Sequence, residues 1–340
     1  MLRRASVRLM RAVVLDDPRP CAVELRRLLI GNGIRCDFLG LPVGTADLPC
    51  IDADIVFSYK APVNATNVRQ LEACKLLVRL GVGYDQFDLK ACSAAGIQVC
   101  NIPDSGTEEV ADSALWHILS FYRQTARFAV KACSSQATAG LLMQAVEEAK
   151  AMRIRGQTLG LVGLGRIGTA VALRAKPFGF HVVAYDPYVL NGTERGLGIE
   201  RASTLKELLS KADCVSLHCS LQARGARANV GMFGAHEFAA MKPGSLLVNT
   251  ARGELIDPGA LVAALHSGPL AAAHLDTAPG EHFAHGEGWL GEVADLLGSK
   301  LLITPHMAWF SREAQAGIAH LAAETAIRFR NRLPLLNAVS

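Results

Sequence analysis

The stretch TLGLVGLGRIGTAVALRAKPFGFHVVAYDPY, residues 158–188, decides how the rest of the chain is read. Leu159 to Val162 is an apolar run short enough for a buried strand, and Gly163-Leu164-Gly165-Arg166-Ile167-Gly168 follows it. The helix-forming TAVALRAK comes next, Pro177 ends it, and a second apolar run from Val182 to Tyr185 closes on Asp186. Strand, glycine turn, helix, strand and acid are the parts of a dinucleotide-binding βαβ unit. Gly163 permits a tight turn, Gly165 lets the backbone approach a pyrophosphate, and Gly168 lets helix and strand pack closely. The new helix directs its unpaired N–H groups and positive dipole end toward phosphate. Asp186 lies 18 residues beyond Gly168, where a carboxylate accepts hydrogen bonds from a ribose diol and repels a 2′-phosphate. No Arg follows it in Asp186-Pro187-Tyr188, so the expected cofactor is NAD rather than NADP.

A chain of 340 residues, 50% of them apolar, is long enough for two domains. Apolar runs alternate with helical patterns from the start. Strands are expected at 12–15, 55–59 and 76–80 and a helix at 23–29. A long helix is expected over Thr107 to Phe128, with Val110, Ala114, Ile118 and Phe121 as its apolar stripe. Because the glycine turn comes only near residue 160, the earlier α/β unit must be a separate domain. Further strands are expected at 182–185, 214–217, 246–248, 271–275 and 301–303, and a final helix at 313–330. The fold class is α/β, with two Rossmann-like or flavodoxin-like domains and doubly wound parallel sheets. Residues 1–120 with 310–340 form the substrate domain, into which a nucleotide domain, 121–309, is inserted.

The net charge of +4 is mild and Lys and Arg are scattered, which argues against nucleic-acid binding. No apolar run approaches the ~20 residues of a membrane span. Nine cysteines, with no CxxC pair, point to a reducing compartment, cytoplasmic or nuclear. Cys214, His218 and Cys219 face different ways on and after one strand, so no metal site is expected. The Arg-rich, acid-free MLRRASVRLMR suits a transit peptide, but the first strand begins by about Arg11, and a frayed basic terminus is preferred to mitochondrial import.

Parallel sheets bind ligands beyond the carboxyl ends of their strands. There the sequence places Gly81-Val82-Gly83, His218-Cys219-Ser220-Leu221, Thr250-Ala251-Arg252, Asp276 and Thr304-Pro305-His306. Moving a hydride and a proton between a nicotinamide and a hydroxy acid needs a proton donor of near-neutral pKa, a role for His306. It needs a cation to hold the carboxylate and polarise the carbonyl, a role for Arg252. An acid that orients the imidazole completes the set; Glu281 suits it, with Glu287 as the competitor.

These residues carry a pattern that resembles the D-isomer-specific 2-hydroxyacid dehydrogenase superfamily. Its marks are GLGRIG at 163–168, VNTARGELID at 248–257, Asp276 followed by Glu281, and TPH at 304–306. Within it the chain looks most similar to the C-terminal-binding-protein branch of transcriptional corepressors. That likeness rests on ALRAKPFGF at 172–180, YDPY at 185–188, DCVSLHC at 213–219 and TPHMAWFS at 304–311. VRLGVGYDQFDLK at 78–90 and EEVADSALWHIL at 108–119 also fit.

The resemblance implies catalytic roles for Arg252, Glu281 and His306. It implies that Arg79, with Gly81 and Val82, meets the substrate carboxylate, and that Trp309 walls a pocket for a small 2-keto acid. Cofactor contacts are implied at Val82, Val162, Gly163, Leu164, Gly165, Arg166, Ile167, Gly168 and Asp186. Others are implied at Cys219, Ser220, Leu221, Gly225, Thr250, Ala251, Arg252, Asp276 and His306. A homodimer built on the 107–128 helix is implied too, and animal members bind Pro-x-Asp-Leu-Ser peptides, a role to which Cys21-Ala22-Val23-Glu24-Leu25 is loosely similar.

The chain departs from the family in having His282 after Glu281 where Pro is frequent. It also has an Ala/Gly-rich loop at 222–232 and no long corepressor tail before Ser340. A metabolic dehydrogenase and an NAD-gated repressor scaffold both remain open.

Overall fold

The computed structural model describes residues 9–17, 19–133, 138–148, 151–222, 227–280 and 300–339. Two compact units divide the chain: Met1–Gly106 with Phe310–Ser340, and Thr107–Trp309.

Among the described residues, the first unit has five parallel strands: β1 (Arg11–Val14), β2 (Arg35–Phe38), β3 (Ile55–Ser58), β4 (Leu76–Arg79) and β5 (Gln98–Cys100). Their order, β2-β1-β3-β4-β5, is the flavodoxin-like one. β3 is buried at every position, as a strand covered on both faces must be. Helix α1 (Pro20–Gly31) begins with Pro at its first position, where a missing N–H is harmless. Asp88 caps α2 (Leu89–Ala94) by accepting from the Ala91 N–H at 3.0 Å. Val13, Leu15, Val56, Leu71, Leu77, Phe87 and Val99 fill one core of this unit. Asp16, 1% exposed at the end of β1, accepts backbone N–H groups from Gly44, Tyr59, Lys60 and Ala61 at 2.7–3.1 Å. It ties the turn after β3 to the strand beside it.

The second unit has seven parallel strands among the described residues. They are β6 (Thr158–Val162), β7 (His181–Tyr185), β8 (Glu200–Arg201), β9 (Cys214–Leu217), β10 (Ser245–Asn249), β11 (Leu270–Leu275) and β12 (Leu301–Ile303), in the order β12-β11-β10-β9-β6-β7-β8. The chain runs outward from β6 through β7 and β8, then returns to the other side of β6 as β9. That reversal is the topological switch point at which open α/β sheets take ligands. The α-helices among the described residues are α3 (Thr107–Arg123), α4 (Thr125–Ala132), α5 (Ala139–Glu148), α6 (Arg166–Ala175), α7 (Thr193–Leu197), α8 (Leu205–Lys211), α9 (Ala235–Ala240) and α10 (Pro258–His266). Side chains alternate along β10. Leu246 and Val248 pack with Ala114, Ile118, Phe121 and Val171 of α3 and α6, whereas Leu247 packs with Leu208, Phe238 and Leu261 of the opposite helices.

Two sequence expectations are corrected. The boundary drawn at 120 falls inside α3; the whole helix belongs to the second unit, because Ala111, Ala114, Ile118 and Phe121 are buried against β6, β10 and α6. The helix expected over 107–128 also breaks at Gln124. Its φ of 55° is left-handed, and its side-chain amide donates to the Phe121 carbonyl at 2.8 Å, ending α3 before α4 begins. No helix among the described residues is long and apolar enough to cross a membrane.

Candidate active site

The glycine turn sits where β6 meets α6, beside the end of β9. Gly163 has φ 98°, and a Cβ there would lie 2.7 Å from the Cys219 backbone nitrogen. A Cβ on Gly168 would lie 2.2 Å from the Gly163 carbonyl oxygen, so helix and turn touch through it. Gly165 differs from both. It precedes the first turn of α6 in extended conformation, and a Cβ there would meet open space. Val162 and Leu164 are buried, and Arg166 and Ile167 begin the helix.

Asp186 follows β7 and binds back to this turn. One carboxylate oxygen accepts the Leu164 N–H at 2.9 Å and the other the Tyr188 N–H at 2.8 Å. A carboxylate has about four acceptor sites, so two remain for hydroxyl donors. Arg201 on β8, which the sequence reading passed over, donates to the Asp186 and Val189 carbonyls at 3.1 and 3.4 Å. After β9, both ring nitrogens of His218 are enclosed without a hydrogen-bond partner, although the residue as a whole is only half-buried. Burial pulls this imidazole down to about 4, so it is neutral. Burial pushes the neighbouring Cys219 thiol up to about 11, the Asp186 charge adding to the effect. Ser220 is exposed and its carbonyl accepts from Asn229 at 2.9 Å; Leu221 packs at the core edge. Gly225 lies outside the described residues.

Beyond β10, Asn249 shapes the turn that carries Arg252. Its side chain donates to the Arg252 carbonyl at 2.8 Å and to the Thr277 carbonyl at 3.3 Å, and accepts the Ala251 N–H at 3.0 Å. Arg252 donates to the Ala251 carbonyl at 2.7 Å. Thr250 Oγ1 is enclosed and unpartnered; Thr250 and His218 each follow the last paired residues of β10 and β9, Asn249 and Leu217. A Cβ on Gly253 would lie 2.0 Å from the Ala278 carbonyl oxygen, so the segment leading toward Glu281 nests directly on the Arg252 turn. Glu281, Glu287 and His282 lie outside the described residues.

Asp276, 1% exposed after β11, organises the turn beyond β12. Its carboxylate accepts Thr304 Oγ1 at 2.5 Å, the Met307 N–H at 3.0 Å and the Ala308 N–H at 2.9 Å. Its carbonyl accepts the His306 N–H at 2.9 Å. Three of its carboxylate's acceptor sites thus hold the turn. His306 has φ 52°, a left-handed conformation that a non-glycine residue keeps only where its surroundings enforce it. The Trp309 indole N–H donates to the His306 carbonyl at 3.1 Å. Arg252, Asp276 and His306 therefore follow three neighbouring strands on the carboxyl edge of one parallel sheet.

In the first unit, Arg79 ends β4 and donates to the Leu80 carbonyl at 2.5 Å. A Cβ on Gly81 would lie 2.0 Å from its guanidinium, so the bare glycine makes room for it. The guanidinium lies 5.7 Å from the Tyr59 ring centroid, and Arg19 stacks on the same ring at 3.8 Å. Val82 is 43% exposed and its carbonyl accepts from Asn101 at 2.7 Å. No group of three or more His, Cys, Asp or Glu able to hold a metal occurs among the described residues.

The model of the NAD-binding domain of D-isomer-specific 2-hydroxyacid dehydrogenases matches residues 115–308, more than half the chain and all of the edge just described in the second unit. The chain belongs to the D-isomer-specific 2-hydroxyacid dehydrogenase family. It is 35% identical over 301 residues to C-terminal-binding protein 1 of Caenorhabditis elegans, covering 88% of this chain and 40% of that one. It is 33% identical over 276 residues to D-3-phosphoglycerate dehydrogenase of Methanocaldococcus jannaschii, covering 80% and 49%. The chain thus spans about half the length of these curated relatives. Its fold is similar to the holo form of Rhodotorula graminis D-mandelate dehydrogenase, with TM-score 0.83, 28% identity and 97% of each chain covered.

NAD, the family's cofactor, fits the dehydrogenase fold seen here. Gly165 leaves a cradle free of side chain, Asp186 keeps acceptor sites, and His218 and Thr250 offer enclosed polar atoms with hydrogen bonds still to make.

Of the residues that shape this edge, Ser113, His117 and Arg201 escaped the sequence reading. His117 did leave a trace, standing three residues after Ala114 on the buried side of the α3 stripe.

Proposed function

We propose that this chain interconverts a small 2-keto acid and the corresponding 2-hydroxy acid. The observation that carries the proposal is His306, held in a left-handed turn by Asp276, on the same sheet edge as Arg252. When bound, NAD supplies the hydride acceptor or donor for the substrate's second carbon. Val162 to Gly168, Asp186, Cys219 to Leu221, Gly225, Thr250 to Arg252 and Asp276 would hold the cofactor. In the reductive direction Arg252 grips the keto acid carboxylate and polarises its carbonyl. His306 gives a proton to the carbonyl oxygen as it becomes a hydroxyl, and takes it back in the oxidative direction. Glu281 is the acid proposed to orient the imidazole. Trp309, in the second unit, bounds the substrate side chain; the first unit, with Arg79, Gly81 and Val82 at its strand ends, is the proposed substrate domain.

NADH oxidation across 2-keto acids of increasing side-chain size is the direct test. Turnover that depends on His306 supports the reading; no turnover with any keto acid removes it.

A second reading is favoured by the match to C-terminal-binding protein 1, which is shared over most of this chain. In it the fold is an NAD-gated dimeric scaffold of transcriptional repression, and catalysis is slow. Trp116, 46% exposed on α3, offers apolar surface for a second copy. Capture of a Pro-x-Asp-Leu-Ser peptide only in the presence of NADH supports the scaffold. Brisk keto-acid turnover with no peptide capture excludes it.

A further inference from the structure

Thr304 Oγ1 lies 2.5 Å from Asp276 Oδ1 and 3.4 Å from His117 Nε2. A carboxylate only accepts, so the single hydroxyl proton goes to Asp276 and the hydroxyl oxygen is left to accept from the imidazole. That places the His117 proton on Nε2, and Nδ1 is indeed enclosed without a partner. Burial supports the neutral ring, pulling His117 down to about 3 with the nearby His274 adding to the effect. His274 on β11 donates through Nδ1 to the His117 carbonyl at 2.9 Å, pinning this turn of α3 to the sheet.

One helical turn earlier, Ser113 Oγ donates to the Ala308 carbonyl at 3.1 Å. Ser113 and His117 stand four residues apart, and so share a face of α3. That face grips the segment 304–308 at both ends, with His306 and its left-handed backbone between the two grips. Asp276 grips the same segment from the sheet side, as does the Leu275 carbonyl, which accepts the Thr304 N–H at 2.9 Å. The N-terminal turns of α3, just before Ser113, are anchored to the dinucleotide helix, for Arg174 of α6 pairs with both Glu108 and Asp112.

We infer that His117 and Ser113 are positioning residues for His306: helix α3 fixes where the proton-transferring imidazole stands. Neither touches the reacting atoms. The consequence for turnover rests on the function proposed above, but the mechanical claim does not. Displacing a catalytic group by a fraction of an ångström lowers turnover without weakening binding at a distant cofactor site.

The test uses the full chain with Trp116→Phe and Trp289→Phe, which leaves Trp309 as the single reporter in the turn. Into it go Ser113→Ala, His117→Phe and His117→Gln, each followed by acrylamide quenching of Trp309 and by steady-state kinetics. Ser113→Ala and His117→Phe are expected to raise the quenching and to lower kcat about tenfold with the KM for NADH unchanged. His117→Gln, whose amide retains an N–H donor, is expected to restore both toward the parent. Ser113→Ala removes one surface-side oxygen and keeps the test alive if His117→Phe fails to fold. Unchanged quenching, or raised quenching with kcat intact, overturns the positioning role. If the parent turns over no keto acid at all, the reaction falls, while the quenching still decides whether α3 holds the turn.

Discussion

Asp276 holds His306 by its main chain, not by its side chain: the Asp276 carbonyl accepts the His306 N–H at 2.9 Å. The Asp276 carboxylate meanwhile holds the residues on either side, Thr304, Met307 and Ala308. Asp276→Ala leaves three donors at a buried spot unsatisfied. The expected loss is on the order of 3 kcal/mol in unfolding free energy, with turnover falling too. Urea titration and NADH oxidation on the same preparation check it.

His306→Gln keeps the turn's backbone contacts while removing the titratable ring. We expect kcat to fall by about 10²–10⁴-fold, the usual contribution of a positioned acid–base group. NADH affinity, read by fluorescence titration, should stay at the parental value.

Two glycines of the dinucleotide turn, Gly165 and Gly168, should respond differently to alanine. At Gly168 the added methyl meets a backbone oxygen that cannot swing away, so Gly168→Ala should destabilise the fold by about 1–3 kcal/mol. Gly165 has ordinary backbone angles and open space, so Gly165→Ala should melt near the parent temperature yet bind NADH at least about tenfold more weakly, since the methyl occupies the cradle. Calorimetry with and without NADH separates the two.

Asp186 decides between the two nicotinamide cofactors on this reading. Asp186→Ala should shift the NADH/NADPH ratio of kcat/KM toward NADPH, because a fixed negative charge no longer faces the 2′-phosphate. Because the carboxylate also holds the Leu164 and Tyr188 N–H groups, a modest fall in melting temperature should accompany it.

Stability should decline in mild acid. Burial holds His117, His218 and His274 at about 3, 4 and 4, below the ordinary 6.5 of an exposed imidazole. Between those values the unfolded chain binds more protons than the folded one, so folding weakens as pH falls from about 6.5 toward 4. Each ring contributes about 1 kcal/mol per pH unit inside that window and nothing further above it. Urea midpoints that stay flat between pH 7.5 and 5 would contradict this.

Both sheets were legible in the sequence because buried parallel strands write themselves as uninterrupted apolar runs, Ile55 to Phe57 being one. The three strands that escaped notice, Arg35–Phe38, Gln98–Cys100 and Glu200–Arg201, all lie at sheet edges. Edge strands are short and polar because one side is unpaired, which erases the apolar run. Arg252, Asp276 and His306 were legible because parallel strands bring all their carboxyl ends to one side. The supports from Ser113 and His117 were not, since they join residues 195 and 187 positions apart. No local pattern encodes contacts at that distance. The break at Gln124 was hidden for another reason: an apolar stripe continues in phase on both sides of it, and only the backbone angle betrays the stop.

Gly253, where a methyl would collide with Ala278 and Pro279, makes two separate loops behave as one mechanical part. Any insertion or side chain at that junction shifts the guanidinium-bearing turn and the approach to Glu281 together. The two loops are therefore expected to tolerate change only in concert, whereas loops without such a junction vary independently.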